Sequence, residues 1–101
     1  MERYINMTRE VKDFYRNYIA RMVKSVWEVN RPEAMDRGVA LNMLLSNLQH
    51  EEREDKVMLY ACGTLTPDEL ATAKSYWLTV PQELRDYEYM KILEITNGLE
   101  W

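Results

Sequence analysis

The sequence predicts an all-α fold, a single domain over residues 1–101 built as a compact bundle of four to five short helices. Three observations predict it. Only three Gly and three Pro occur in 101 residues, too few for the many turns of a β-sandwich and suited to helices with short links. Apolar residues recur at three- and four-residue spacing along much of the chain, the period of a helix with one buried face. Helix-start signals punctuate that pattern, above all Leu65-Thr66-Pro67-Asp68-Glu69-Leu70. Helices with no intervening strands exclude a nucleotide-binding α/β sheet.

The first helix is expected from about Arg9 to Val29, with Thr8 as its N-cap. At 100° per residue, Val11, Phe14, Tyr15, Tyr18, Met22, Val26 and Val29 gather on one side, which is the expected core face. Asn30-Arg31-Pro32-Glu33 reads as a stop and a restart, since Pro disfavours helix before it and suits a first turn. The second helix is expected over Pro32–Gln49, nearest the centre, with Ala34, Gly38, Leu41, Leu45 and Leu48 along its buried side. Gly38 there costs about 1 kcal/mol of helix propensity relative to Ala, and close approach of a neighbouring helix would compensate. His50 to Lys56 is a charged stretch, a loop or an exposed helical turn. Val57 to Cys62 is a short apolar helical run that Gly63 would end.

Thr66 then caps a helix with Pro67 in its first turn and Glu69 placed to complete a capping box. Leu65 can staple onto Leu70, and Leu70, Ala73, Trp77 and Val80 form the apolar side. Val80-Pro81-Gln82-Glu83-Leu84 echoes that start, so the last helix is expected over Pro81–Thr96, with Asn97-Gly98 as its stop.

Composition points to contacts rather than chemistry. Ten of the eleven aromatic residues are Tyr or Trp, Phe14 is the sole Phe, and seven Met accompany them. Tyr, Trp and Met are enriched at protein–protein interfaces, where they combine apolar area with a polar handle or an adaptable shape. Cys62 is the only cysteine, so no intramolecular disulfide can form and a multi-cysteine zinc site is excluded. A reducing, cytoplasmic setting is expected. No stretch approaches the ~18–20 apolar residues of a membrane span, and Met1 to Asn6 lacks the order of a signal peptide.

The net charge of −4 is unevenly placed: residues 1–37 carry +2 and residues 38–101 carry −6. An acidic total argues against non-specific nucleic-acid binding by the whole surface. A local basic face remains on the first helix, where Arg9, Lys12, Arg16 and Lys24 fall within about 120° of arc around Trp27. Such a stripe can be a solvated face whose long side chains cover Trp27, it can dock an acidic protein, or it can meet phosphates while Trp stacks on a base. Both Arg16 and Lys24 are expected to be exposed. A second candidate surface is the Met35, Val39 and Met43 stripe at i, i+4, i+8 on the second helix. It suits a second buried side of a central helix, or a contact with a partner or a two-fold homodimer.

No motif names a reaction. His50 is the only histidine, and the carboxylates after it follow one another along the chain rather than converging as metal ligands do. No Gly-rich phosphate loop exists, and Cys62 reads as a small buried hydrophobe. Glu51-Glu52-Arg53-Glu54-Asp55 and Glu83-Leu84-Arg85-Asp86 distantly resemble the paired acidic motifs of MazG-type nucleotide pyrophosphohydrolases. In that family the carboxylates hold Mg²⁺ against phosphates. The sequence departs from that pattern in having Asp at the fifth position and a Gly and two Pro between the groups. The expectation is a small cytoplasmic interaction module, an adaptor, regulator or inhibitor of a larger protein, of the kind phages and mobile elements encode. It is expected to need no catalytic residue, cofactor or metal. A nucleotide- or nucleic-acid-binding module and a Mg-dependent pyrophosphohydrolase are the alternatives.

Overall fold

The computed structural model describes residues 2–29, 36–49 and 66–99. Over these residues it holds five α-helices and no strand. They are α1 (Glu2–Asn6), α2 (Arg9–Val29), α3 (Arg37–Gln49), α4 (Pro67–Thr79) and α5 (Arg85–Gly98), with a 3-10 turn at Gln82–Leu84. The chain is the all-α bundle expected from its sequence. Its long helices wrap a core in which α2 and α3 each pack against the other three.

Helix α2 starts as the sequence predicts. Thr8 Oγ1 accepts the Val11 N–H at 3.3 Å, and the Thr8 carbonyl accepts the Lys12 N–H at 3.0 Å. Its rotation differs from the expectation. The buried side holds Arg16, Ile19, Ala20, Met22, Val23 and Val26, whereas Val11 and Phe14 stand 40% and 62% exposed. On a 100°-per-residue wheel the core face is turned by roughly 90° from the expected one.

Helix α3 begins at Arg37, and the continuous helix expected over Pro32–Gln49 is interrupted at the non-helical Asp36. Asp36 Oδ1 accepts the Val39 N–H at 2.8 Å and its carbonyl accepts the Ala40 N–H at 3.1 Å. A carboxylate in that role holds its own residue outside the helix. Leu41, Leu45 and Leu48 are buried as expected, and Ala40 and Leu44 widen the stripe. Helix α5 does approach Gly38. A methyl group there would lie 3.7 Å from the Tyr89 hydroxyl and 3.8 Å from Leu93, and 3.3 Å from Asp36. Tyr89 also donates to the Gly38 carbonyl at 3.3 Å.

Helix α4 follows its sequence closely. Thr66 Oγ1 accepts the Glu69 N–H at 3.1 Å and Glu69 Oε1 accepts the Thr66 N–H at 3.0 Å, closing the capping box. Leu70, Ala73, Trp77 and Val80 are all buried. The echo of this start does not repeat its geometry. Val80 offers no side-chain acceptor, and the chain instead makes a 3-10 turn in which the Pro81 carbonyl accepts the Leu84 N–H at 2.9 Å. Helix α5 therefore begins at Arg85. It runs through Gly98, and the extended Leu99 closes it. Arg37 Nη1 donates to the Asn97 and Thr96 carbonyls at 3.1 and 3.4 Å, satisfying acceptors that a helix end leaves open.

The expectations for Asn30 to Met35, His50 to Lys56, Val57 to Gly63 and Leu65 lie outside the described residues. No helix among the described residues is long and apolar enough to cross a membrane.

Candidate functional site

The most constrained chemistry in the molecule is a buried carboxylate. Glu88 sits on the inner side of α5 with Ile92 and Thr96, and none of it reaches solvent. An isolated charge in that position is costly, and it persists only with partners. Three side chains from three other helices supply them. Arg16 of α2 donates through Nε at 3.1 Å and through Nη2 in a short bond. Tyr76 of α4 donates its hydroxyl at 2.7 Å, and Tyr4 of α1 donates its own. Arg16 Nη1 also reaches Asp13 at 3.0 Å.

Burial pushes the Glu88 carboxyl up, but the hydrogen bonds from Arg16, Tyr4 and Tyr76 and the guanidinium charge outweigh it. The group lies below the ordinary carboxylate range. The tyrosines respond in the opposite sense. Burial, the bond to Glu88 and its negative charge raise Tyr4 to about 12, and the same causes raise Tyr76 further. The hydrogen bond to Glu88 holds Arg16 firmly protonated against the cost of its burial. An anion ringed by donors and sealed from water is a structural clamp. It ties the five-residue α1 to the body of the bundle.

This clamp corrects one sequence expectation. Arg16 is 7% exposed, so it belongs to the interior and not to an accessible basic stripe. The other members of that stripe separate. Lys24 lies 3.7 Å from Glu28 on the surface. Trp27 is half-buried against the core and faces a different cavity, with Arg37, Gly38 and Leu93. Arg9 and Lys12 border a cleft of about 620 Å³ between α2 and α5, together with Tyr87, Lys91 and Glu94, with Tyr4 and Arg16 also in its wall. Lys12 Nζ stands 4.3 Å above the Tyr4 ring, and Lys91 Nζ stands 5.4 Å from the Tyr87 ring.

The opposite side of α2 carries a second feature. Phe14 stacks on Tyr18 with ring centroids 6.4 Å apart and planes 12° from parallel. It meets Tyr15 edge-on at 5.2 Å, and Tyr15 in turn stacks on Tyr76 at 5.0 Å. The result is an ordered aromatic surface with Val11 beside it on the helix. Burial raises the Tyr18 hydroxyl, helped by the negative charges of Glu69 and Asp68 on α4, while Arg3 lies beside Val11 and Tyr15. Of the second candidate stripe, Val39 is 46% exposed and Met43 is half-buried against the core. Met35 lies outside the described residues.

A further cavity of about 620 Å³ lies between α3 and the start of α5, bordered by Asn42, Ser46, Gln49, Trp77 and Arg85. With its oxygen turned inward, the Gln49 amide accepts from Arg85 Nη1 and Trp77 Nε1, each at 3.1 Å. Glu83 and Asp86 are exposed around the 3-10 turn, and the acidic group expected to face them lies outside the described residues. Among the described residues, no three His, Cys, Asp or Glu side chains gather as a metal site would need.

Sequence reasoning missed Tyr4, Tyr76 and Glu88. A signal for Glu88 exists: on the helical wheel it is the one charge among Ile92, Ile95 and Leu99. A charge in the centre of an apolar face demands a buried partner, although the sequence does not say which. No family model matches the chain, and no curated protein or solved structure matches it either.

Proposed function

We propose that this chain is a small cytoplasmic protein-interaction module that acts by occupying a surface of a larger protein. The aromatic side of α2 is its contact surface. The observation that carries the reading is Phe14, the only Phe of the chain, held 62% exposed in an ordered stack with Tyr18 and Tyr15. An exposed aromatic already fixed by its neighbours loses little conformational freedom on binding and offers a large apolar area, which is how interface anchors work. Asp68 and Glu69 near Tyr18 favour a Lys or Arg of the partner at that end of the surface.

Affinity capture from the native host tests this with three baits: the natural chain, Phe14→Glu and Met90→Glu. Met90 is a 53% exposed apolar residue on a different helix. The natural chain and Met90→Glu should retain the same protein partner, and Phe14→Glu should lose it while keeping its helical circular dichroism. Retention of that partner by a folded Phe14→Glu chain contradicts the reading.

A further inference from the structure

We infer that the cleft between α2 and α5 is a binding site for a phosphate-bearing small molecule, gripped by the ammonium groups of Lys12 and Lys91. The site lies on the other side of α2 from the aromatic surface, and the inference does not rest on the role proposed for that surface.

The first observation is charge. Four cations, Arg9, Lys12, Arg16 and Lys91, line one cleft against two carboxylates, Asp13 and Glu94. The carboxylates do not neutralise them evenly. Arg16 is consumed by Glu88 below the cleft and by Asp13, and Arg9 also reaches Asp13, at 3.9 Å. Lys12 and Lys91 are left with no carboxylate within ion-pair distance among the described residues. In a chain with a net charge of −4, a concentration of positive charge in one cleft runs against the overall balance. With Arg9 and Arg16 paired in this way, Lys12 and Lys91 are the cleft's charges available to an anion.

The second observation is how these two lysines are held. Both are half-buried. A surface lysine normally extends its ammonium into water. Here each ammonium instead lies against an aromatic ring, Lys12 on Tyr4 and Lys91 on Tyr87. Cation–π contact restrains the amine without using its charge on a carboxylate. The Tyr4 ring is itself fixed, because its hydroxyl is tied to Glu88. The clamp therefore positions one of the two cations that line the cleft.

The third observation is size and composition. A volume of about 620 Å³ falls in the range of small-molecule sites. Tyr87 in its wall is 53% exposed, with Lys91 Nζ 5.4 Å and Arg16 Cζ 6.0 Å from its ring centre. A base can stack on this ring as the Lys91 ammonium turns to the phosphate. A phosphate ester matches the two ammonium groups, and a nucleoside attached to it matches the ring.

The test is titration of the full chain with pyrophosphate, adenosine diphosphate and adenosine, followed by amide and side-chain chemical shifts. Pyrophosphate and adenosine diphosphate should both shift Lys12, Lys91 and Tyr87, with an affinity that falls at least fivefold between 50 and 300 mM salt, as phosphate contacts to Lys require. Tighter binding of adenosine diphosphate than of pyrophosphate assigns a share to Tyr87, and equal binding assigns the site to phosphate alone. The double variant Lys12→Gln, Lys91→Gln should lose at least tenfold in affinity for both, with its thermal midpoint measured alongside. If that variant is destabilised, Lys91→Gln alone must still weaken binding at least threefold. No shift from either phosphate probe at millimolar concentration overturns the inference. So does adenosine binding as tightly as adenosine diphosphate, or unchanged affinity in the lysine variants.

Discussion

The two sides of α2 invert the usual partition of residues. Toward α5 the helix buries an arginine, and away from it the helix exposes a phenylalanine. Arg16 is tolerated inside because Glu88 and Asp13 accept from its nitrogens, and because Tyr4 and Tyr76 complete the shell around Glu88. Phe14 meets the rings of Tyr15 and Tyr18 and stands 62% exposed. The difference teaches that burial on this helix follows the supply of partners rather than the hydrophobicity of each residue. A charge with complete hydrogen bonding can occupy an interior, and a hydrocarbon ring can stand outside it.

The clamp side should show the largest response to mutation. Glu88→Ala leaves the Arg16 guanidinium buried without its main acceptor. Removing one partner of a buried ion pair costs about 3–5 kcal/mol, a large part of the ~5–15 kcal/mol that holds a domain together. Urea denaturation should show a correspondingly lower midpoint. A loss under 1 kcal/mol would mean that Glu88 is not sealed in the interior.

The pH dependence of stability sharpens the same side. Glu88 has its native value lowered, so its stabilisation is complete above the ordinary value of 4.5 and fades as pH falls through the native value. Tyr4 has its native value raised from 10.0 to about 12, so its contribution is complete below pH 10 and is lost as pH rises through 12. Stability measured across pH should fall in both directions from a broad plateau. Glu88→Gln should remove much of the acid arm and shrink the alkaline one, since Glu88 helps to raise both tyrosines. An acid arm of equal depth in Glu88→Gln would place the acid-sensitive group elsewhere.

A cap on a different helix supplies a reference of intermediate size. Thr66→Ala removes the acceptor for the Glu69 N–H and should cost about 0.5–2 kcal/mol. A loss as large as that of Glu88→Ala would show that α4 depends on its cap more than on its packed face.

The smallest effect is expected at Val39, the exposed member of the α3 stripe. Val39→Glu should change stability by about 0.5 kcal/mol or less. Sedimentation equilibrium of both forms then tests self-association. If the natural chain is dimeric, the variant should be monomeric, and a dimer that survives the change excludes this stripe as its interface.

The contrast between α4 and α2 also explains how much the sequence disclosed. The Thr66–Pro67–Glu69 start and the Leu70, Ala73, Trp77 stripe were legible because their determinants are local, within a turn or two of each other. The N-cap of α2 was legible for the same reason. The rotation of α2 was not, because it depends on Glu88, 72 residues away, and on Tyr4 in a helix too short to announce itself. The break before α3 is not legible, because Asp36 lies inside a stretch whose apolar spacing continues across it, yet it takes the capping role. The cleft was half legible: Arg9, Lys12 and Arg16 share a helical face, but Lys91 and Tyr87 join them only in three dimensions.

Parallel denaturation of Arg16→Ala and Phe14→Ala tests the central claim most directly, since the two residues lie two positions apart on one helix. If α2 turns its charge inward and its ring outward, Arg16→Ala should lose about 3–5 kcal/mol. Phe14→Ala should lose about 1 kcal/mol or less, the worth of an exposed ring pair. The reverse order, with Phe14→Ala severely destabilised and Arg16→Ala close to neutral, would contradict the account.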